Sequence, residues 1–573
     1  MPRPPLLLAF LTLALASSFV PVAASPIPGP ASHRVIVSFW PTMNLATAKT
    51  RLIDAGYHVE RTLDCAGSAV VTNANEAGTS AAKLEALADV VSVEPDDPVP
   101  APHVTSRPLA PGTKAKLART ADEPDDEFLG AQWNLRQIGA LDAWDYTTGA
   151  ADALTTVAIL DTGIDLDNPD LAANVYASAA WNFFDDNDNV QDISRAGSGT
   201  MVAGIIGATA NNGVGIAGIA WNPAIIPIKV IGTNASGNDI FYWSHVVAGI
   251  CHAVEKGARV IHVSAYHRTL SAPTAMYRAL TYADDQGAVI VTPVGDERQY
   301  GNPTEYPAAY QRLVIGVGAN TEDYTAWEHS NTGNYVALAA PGVDVATTVP
   351  LTLDEIGARR GTGTILAAAH ASGVALLMRS INPNLTPQEI ITILRQSADD
   401  LGTVGPDTVF GAGLIDATHA VQRTPHRLMV SPSDMLTFEW DEISHAYRQP
   451  FQSLSNTNTG ALTWTTHATV PWLMVTPPAS AAPVGSTPSI ASVSVTPPSP
   501  GECGTRASYI QAESTMLNKA GPGQDILVRV YLPQCGPSPF SVFFPTIEVA
   551  PPRPALKTPA AEGLLNLIPP GKN

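Results

Sequence analysis

Short runs of β-branched and other apolar residues alternate with longer amphipathic stretches between residues 131 and 422. Five of these runs predict buried strands, at residues 157–160, 225–230, 260–263, 288–291 and 313–317. The stretches between them have the spacing of helices that bury one face. Strands that alternate with helices predict a parallel sheet with helices on both faces, and therefore an α/β fold.

The pattern changes on either side of this region. Residues 33–98 predict a small α/β unit, with strands at 35–39, 69–71 and 91–96 and helices at 46–55 and 81–88. Residues 99–126 are rich in proline and charge without apolar periodicity, which predicts an exposed linker. Residues 428–551 show alternating β segments with many Thr, Ser and Pro, which predicts a separate antiparallel β-sandwich before a flexible tail at 552–573.

The first 24 residues have the features of a secretory signal peptide. Arg3 supplies positive charge, residues 6–15 form an apolar run, and residues 22–24 end in the small side chains that a signal peptidase needs. The run is short for a bilayer-spanning helix. We therefore expect an exported protein, and we expect no membrane span after residue 24.

Charge and cysteine content narrow the function classes further. The 573 residues carry 32 basic and 52 acidic side chains, for a net charge of −20, which argues against nucleic acid or an anionic membrane as the main partner. The four cysteines lack zinc-site spacing. Cys503 and Cys535 share one segment and could form a disulfide in an exported protein, whereas Cys65 and Cys251 are expected to be separate, small buried residues.

Four sequence segments in residues 131–422 closely resemble the subtilisin (subtilase) family of serine peptidases. They lie in the family's order at residues 157–165, 197–208, 363–375 and 410–417. The resemblance implies a subtilisin-like α/β domain of the serine endopeptidase type. Residues 33–98 are also similar to the family's propeptide, which implies that the chain's own propeptide would act as a folding chaperone and temporary inhibitor.

The resemblance also locates the catalytic positions, and most of them have changed. Asp161, in an Asp-Thr-Gly segment, matches the triad aspartate. Ser198 stands where the family has its general base, and Ile365 stands where it has the nucleophile. A competing register places Gly363 at the nucleophile position. Asp296 replaces the asparagine that donates to the oxyanion.

These replacements predict loss of hydrolysis. Peptide hydrolysis needs a nucleophile, a general base, a group that orients the base and donors for the oxyanion. A serine cannot act as general base, and isoleucine has no attacking atom. Ionised Asp296 only accepts hydrogen bonds and repels an oxyanion. The sedolisin relatives use aspartate at that position, but they keep the serine and have a glutamate base.

Five other histidines could in principle replace the base, although no nucleophile would accompany them: His245, His252, His262, His267 and His329. By resemblance, Ser264, Ala265 and Tyr266 match the family's substrate-binding strand. Gln132, Asp170 and Asn212 similarly match a family calcium site, and their oxygen atoms suit structural Ca²⁺. A solvated polar loop without metal is the alternative for these three residues.

The C-terminal region contains Trp464 and Trp472 in segments that resemble BACON-type all-β modules, which are linked to glycan contact. Both tryptophans also fit a core role. The sequence therefore predicts a secreted pseudopeptidase whose cleft binds a peptide or protein segment. An active serine endopeptidase with a rearranged site, and a glycan-binding surface protein that acts through its β-sandwich, are the alternatives.

Overall fold

The computed structural model describes residues 34–73, 81–87, 89–109, 123–149, 155–268 and 273–425, and the backbone of strands between residues 429 and 531. The predicted signal peptide, the predicted C-terminal tail, Trp472, Cys503 and Cys535 lie outside the described residues.

The N-terminal unit is a four-stranded antiparallel sheet with two helices. Its elements are β1 (Arg34–Phe39), α1 (Leu45–Asp54), β2 (Tyr57–Leu63), β3 (Ser68–Asn73), α2 (Ala81–Glu85) and β4 (Val90–Pro95), with a short 3₁₀ helix at Asp64–Ala66. The strand order is β2-β3-β1-β4. In β1, Val35 and Val37 pack under α1 and α2, while Ile36 between them joins a core shared with the central domain. The alternation follows from the two-residue period of a strand.

The first part of the segment that follows the N-terminal unit, residues 99–109, is not the exposed linker that its composition predicted. It contains β5 (Val99–Pro100) and β6 (Thr105–Pro108), and each of these strands pairs with a strand of the central domain. Val99, Ala101 and Val104 are buried. The prediction was wrong because added strands are held by main-chain hydrogen bonds, which leave little trace in side-chain periodicity.

The central domain confirms the predicted α/β fold. The strands of its main sheet are β7 (Thr156–Asp161), β8 (Trp181–Asn182), β9 (Ala224–Lys229), β12 (Val260–Val263), β13 (Val289–Pro293), β14 (Val314–Asn320) and β15 (Leu338–Pro341). This seven-stranded sheet is parallel throughout, in the order β15-β14-β13-β12-β7-β9-β8. Smaller strands are β10 (Ile231–Thr233), β11 (Asp239–Phe241), β16 (Val345–Thr348) and β17 (Ala358–Thr362).

Helices cover both faces of this sheet. They are α3 (Trp133–Gln137), α4 (Ala140–Ala143), α5 (Ser198–Gly207), α6 (Trp243–Glu255), α7 (Pro273–Asp285), α8 (Thr364–Ile381), α9 (Pro387–Ser397) and α10 (Ala417–Arg423). In β7, Val157 and Ile159 face the core that contains α5 and α8, and Ala158 and Leu160 face the core of α6 and α7. Strand β7 is therefore apolar on both faces, as is typical of strands in a buried parallel sheet.

Helix α8 is long and apolar enough to cross a membrane by length and composition, which the sequence analysis did not anticipate. All 18 of its residues are buried inside the central domain. Such burial is the expected environment of a helix that is apolar all round in a globular protein. The start of α8 lies in the cleft described below.

The C-terminal strands form two sheets. They are β18 (Met429–Ser431), β19 (Leu436–Asp441), β20 (Ala446–Arg448), β21 (Phe451–Ser455), β22 (Leu462–Ala468), β23 (Leu473–Thr476), β24 (Ala479–Ala482), β25 (Ile490–Val495), β26 (Thr505–Met516), β27 (Lys519–Ala520) and β28 (Gln524–Tyr531). One sheet has the order β18-β21-β25-β23 and the other β20-β19-β28-β26-β22-β24. Pairing is antiparallel except between β19 and β28. The sandwich arrangement stays a prediction, and the side chain of Trp464 is not described.

Candidate active site

Asp161 is the last residue of the interior strand β7, and its carboxyl group is fully buried. One oxygen, Oδ1, accepts hydrogen bonds from the backbone N–H of Thr162 at 2.6 Å and from the Ser198 hydroxyl at 2.5 Å. Burial raises the pKa of Asp161 to about 6, and the hydrogen bond from Ser198 partly offsets this rise. Asp161 therefore lies where a triad aspartate would lie, but its partner is a hydroxyl.

Ser198 is the first residue of α5, directly after Gly197. It is 2% exposed, and its hydroxyl hydrogen is donated to Asp161. The Thr162 hydroxyl lies 3.5 Å away. Ser198, which the sequence analysis placed at the base position, is thus a neighbour of Asp161, and it has no nitrogen that could take up a proton.

Ile365 is the second residue of α8 and is 1% exposed. Its side chain belongs to the large core on the α5 and α8 side of the sheet. Gly363, the alternative in the competing register, is the residue before the helix. Neither side chain carries an attacking atom, so the two registers lead to the same chemistry.

Asp296 lies in the loop after β13 and approaches the start of α8. Its Oδ1 accepts hydrogen bonds from the Thr364 backbone N–H at 3.0 Å and the Thr364 hydroxyl at 2.5 Å. Burial, reinforced by the neighbouring charge of Glu297, raises the pKa of Asp296 to about 7. The side chain that would have to donate to an oxyanion is here an acceptor of two hydrogen bonds.

Thr364 is a functional candidate that the sequence analysis missed. Its hydroxyl is the one hydroxyl among residues 361–365 that contacts the carboxylate of Asp296, although the side chain is fully buried. The motif comparison assigned roles to Ser198 and Ile365 but none to Thr364. The position of Thr364 directly before Ile365, in a Gly-Thr-Ile segment, is the sequence feature that could have indicated it.

The five alternative histidines have partners away from Asp161. The His262 imidazole is fully buried against the Ser372 hydroxyl at 3.1 Å, and burial lowers its pKa to about 3. His245 faces Arg34, and burial together with that charge lowers its pKa well below the usual value. His252 contacts the Ala179 carbonyl oxygen, His329 lies 3.9 Å from Glu328, and the backbone of His267 pairs with that of Tyr306.

Residues 99–108 occupy the cleft. Strand β5 pairs with β11, and the Ala101 N–H donates to the Asp239 carbonyl oxygen at 2.9 Å. Strand β6 pairs with β17, which leads directly into α8. Between them, Val104 lies beside the residues that precede α8, since a methyl group placed on Gly361 or Gly363 would lie 3.6 Å from its side chain. The segment therefore passes close to the predicted nucleophile position.

Ser264, Ala265 and Tyr266 follow β12 and form another wall of this cleft. All three are buried. Tyr266 lines a cavity of about 390 Å³ together with residues 100–103, Asp296, Glu297 and Glu305. The predicted cleft residues thus lie beside a peptide segment, and that segment belongs to the same chain.

Of the predicted calcium ligands, the structure brings Asp170 and Asn212 together. Asp170 Oδ1 accepts from the Asn212 amide at 3.0 Å, and Oδ2 accepts from the Ile216 N–H at 2.8 Å. Gln132 instead pairs through both side-chain atoms with the backbone of Ala217. The structure does not bring Gln132 to Asp170 and Asn212 through any hydrogen bond among the described residues, so its place in the calcium site stays a prediction.

Asp126 is the carboxylate that the sequence analysis missed at this place. It is buried, its Oδ1 has no hydrogen-bond partner among the described residues, and its charge contributes to the raised pKa of Asp170. Burial is the main cause that raises the pKa of Asp170 to about 7. Two buried carboxyl groups with an unpartnered oxygen fit a hard cation such as Ca²⁺, which would neutralise both charges.

A buried aspartate at the end of a parallel strand, beside the N-termini of two core helices, defines the framework of a serine peptidase of the α/β class. Residues 152–413 match the family model described as Subtilase family. The chain is 33% identical over 309 residues to a thermophilic serine proteinase of Bacillus sp. (strain AK1), covering 53% of this chain and 71% of that protein. It is 31% identical over 299 residues to thermitase of Thermoactinomyces vulgaris, covering 52% and 98%.

A third relative, halolysin of Haloferax mediterranei, is 33% identical over 310 residues, covering 53% of this chain and 55% of that protein. The protein belongs to the subtilase family, as the sequence predicted. All three similarities are confined to about half of the chain, so they bear on the central domain.

The Asp126–Asp170 pair predicts a calcium effect that depends on pH. The folded-state pKa of Asp170 is raised, so the stability associated with the protonated carboxyl group is lost as pH rises from about 4 through about 7. Bound Ca²⁺ would compensate above that window. Saturating Ca²⁺ should raise the unfolding temperature by about 5 °C at pH 8 and by much less at pH 5, measured by calorimetry against a chelator.

Asp126→Asn should remove most of this calcium effect at pH 8, because it removes the charge of one carboxylate and keeps the side-chain shape. Asp323→Asn is a matched control, since that aspartate is exposed and lies in a different part of the domain. An unfolding temperature that Ca²⁺ leaves unchanged at pH 8 would rule out the site.

Proposed function

We propose that this subtilase-family protein is a secreted, hydrolytically inactive pseudopeptidase whose cleft holds a peptide segment without cutting it. The observation that carries this proposal is the buried Ile365 side chain at the start of α8, in the nucleophile position. The hydrogen bond from Ser198 to Asp161 supports it further, because a hydroxyl stands where the family has its general base. Each change removes a group that the reaction needs.

The magnitude of these losses decides against residual hydrolysis. In subtilisin, the family prototype and the source of these measured values, removal of the serine or the histidine alone lowers turnover by about a million-fold. Loss of the oxyanion-hole asparagine there costs roughly a hundred- to a thousand-fold. The losses do not add, but here all three groups are replaced together.

The peptide in the cleft is the segment 99–108 of the same chain. It is held on both sides of the nucleophile position, by β11 on one side and β17 on the other. Arg107 anchors its far end through two hydrogen bonds to the Asp344 carboxylate, at 2.5 and 2.6 Å. A cleft without a nucleophile would leave such a segment uncut.

Export is supported by three observations. The first 24 residues have signal-peptide features. The disulfide between Cys65 and Cys251 suits an oxidising compartment. Among the relatives, a minor protease of Bacillus subtilis and a Natrialba magadii protease are named extracellular, although a relative from Paenibacillus polymyxa is named intracellular.

An active peptidase with a rearranged site is the second candidate, because Thr364 and Asp296 form a hydroxyl–carboxylate pair at the start of α8. A carboxylate with a pKa near 7 is suited to general-base work at neutral pH. However, Asp296 would then have to serve as base at the position where the family has its oxyanion donor. Thr364 is also fully buried.

A fluorophosphonate probe that reacts with activated hydroxyl groups separates the two candidates. We expect no labelling of the purified protein or of Thr364→Val, under conditions in which thermitase is labelled fully, measured by gel fluorescence and mass spectrometry. Labelling that Thr364→Val abolishes would establish the rearranged site. Labelling that persists in Thr364→Val would place the nucleophile elsewhere and contradict both candidates.

An inactive cleft also predicts an uncut segment. Secreted protein from a protease-deficient host should begin directly after the signal peptide, near residue 25, when sequenced from its N-terminus. The variant Ser198→His, Asp296→Asn, Ile365→Ser restores the three family side chains and should cut its own chain between residues 101 and 105. A new N-terminus between residues 102 and 131 on the unaltered protein would show that its own site cuts.

A further inference from the structure

A disulfide joins the N-terminal unit to the central domain. Cys65, in the 3₁₀ helix between β2 and β3, is bonded to Cys251 of α6, and the two residues are 186 positions apart in the chain. The expectation that these two cysteines are separate buried residues was therefore wrong. Their Cα atoms are 5.6 Å apart, a separation typical of disulfides. Sequence spacing cannot reveal such a pair because the fold brings them together.

An apolar contact surrounds the disulfide. Ile36, Leu63 and Val70 from the N-terminal sheet belong to the same core as Phe241 and Trp243 of the central domain. All five side chains are at most 1% exposed. The N-terminal unit therefore covers an apolar face of α6 and α7 that would otherwise meet water, which favours its retention.

Partly buried polar contacts fix the orientation of the N-terminal unit on the central domain. The Arg278 guanidinium of α7 donates to the carbonyl oxygens of Phe39 at 2.7 Å and Ala66 at 3.2 Å. On the other side of the unit, Arg34 pairs with Asp96 at 2.7 Å and donates to the Ser244 hydroxyl at 2.9 Å. Asp96 in turn accepts from the Ser244 N–H, so the end of the N-terminal unit is tied to the start of α6.

We propose that the N-terminal unit and the segment 99–108 are a permanent, covalently tethered part of the mature protein. A cut between residues 109 and 123 would leave two fragments joined by Cys65–Cys251, with β5 and β6 still paired in the cleft. This inference goes beyond the proposed function, because a tether retains the unit whether or not the central domain is an active peptidase.

The tether also determines what can enter the cleft. A segment attached to its own binding site has an effective concentration of about 1 mM. A free peptide of the same sequence at about 100 μM would then occupy at most about a tenth of the clefts. The structure thus assigns the cleft to the chain itself, and external partners must bind another surface.

The test uses the full-length chain with the recognition sequence of a site-specific protease inserted between Gly112 and Thr113. After cutting, which a reducing gel verifies, the two fragments should remain one species in concentrated guanidinium without thiol. Dithiothreitol, which supplies the two electrons that reduce the disulfide, should separate them completely. Separation of the fragments without thiol would overturn the proposal.

A second measurement tests occupancy of the cleft with a fluorescent synthetic peptide of residues 99–108. The cut protein should bind this peptide to no more than about a tenth of saturation at 100 μM. Cut Cys65→Ser/Cys251→Ser protein should release its N-terminal fragment on dilution and then bind the peptide at least five-fold more. Cys503→Ser/Cys535→Ser is the matched control and should behave like the unaltered protein.

Two outcomes of the second measurement would contradict the tether. Full binding of the peptide to the cut, unaltered protein would show an open cleft. Equal retention of the fragment by the Cys65→Ser/Cys251→Ser protein would show that the contact surface alone holds the unit. Where that variant does not fold, the cut unaltered protein with and without thiol gives the same comparison. Labelling by the fluorophosphonate probe would refute only the inactivity of the site.

Discussion

The carboxyl group buried at the end of strand β7 is the constraint on which the cleft depends. An ionised carboxylate without partners is expensive in a protein interior, so Asp161 requires hydrogen-bond donors whether or not the protein is an enzyme. The Thr162 N–H and the Ser198 hydroxyl supply them. A hydroxyl is short and neutral, and it supplies a donor to one carboxylate oxygen, Oδ1, without an imidazole, whereas Oδ2 has no hydrogen-bond partner among the described residues. The first turn of α5 is thereby held against the end of β7.

Residues 99–108 fill the same cleft and are held there by main-chain hydrogen bonds. Strands β5 and β6 use the backbone edges of β11 and β17, so the fit of residues 99–108 depends on hydrogen-bond geometry more than on their side chains. A peptidase would break a segment held in this way. In the proposed inactive cleft the same contacts would hold the segment permanently, and the disulfide to α6 would retain it even after the linker was cut.

The fold of the central domain could be predicted because its signals are local. Buried parallel strands such as β12 consist of β-branched residues, and the predicted run 260–263 matches β12 (Val260–Val263). The catalytic positions followed from short motifs whose residues are adjacent in the chain. Ser198 does contact Asp161, and Asp296 does reach the start of α8, as those motifs implied.

The features that could not be predicted all depend on contacts between distant residues. Cys65 and Cys251 meet only because the N-terminal sheet packs on α6. Asp126 lies in a segment that its composition assigned to a linker, yet it approaches Asp170 in the folded domain. The role of residues 99–108 likewise depends on which strand edges are free in the tertiary structure. Composition describes such a segment by itself, while its partners decide its conformation.

Close packing explains how the frame of an active site can persist without its chemistry. A methyl group on Gly199 would lie 2.0 Å from the carbonyl oxygen of Gly163, so α5 can approach the turn after β7 only with glycine there. This contact involves backbone atoms and does not depend on the side chain of Ser198. The side chains of Ser198 and Ile365 can therefore differ from those of a peptidase while the backbone contacts around Asp161 stay the same. Packing maintains the frame, whereas hydrolysis depends on a few side chains, so the proposed loss of activity needs no change in the frame.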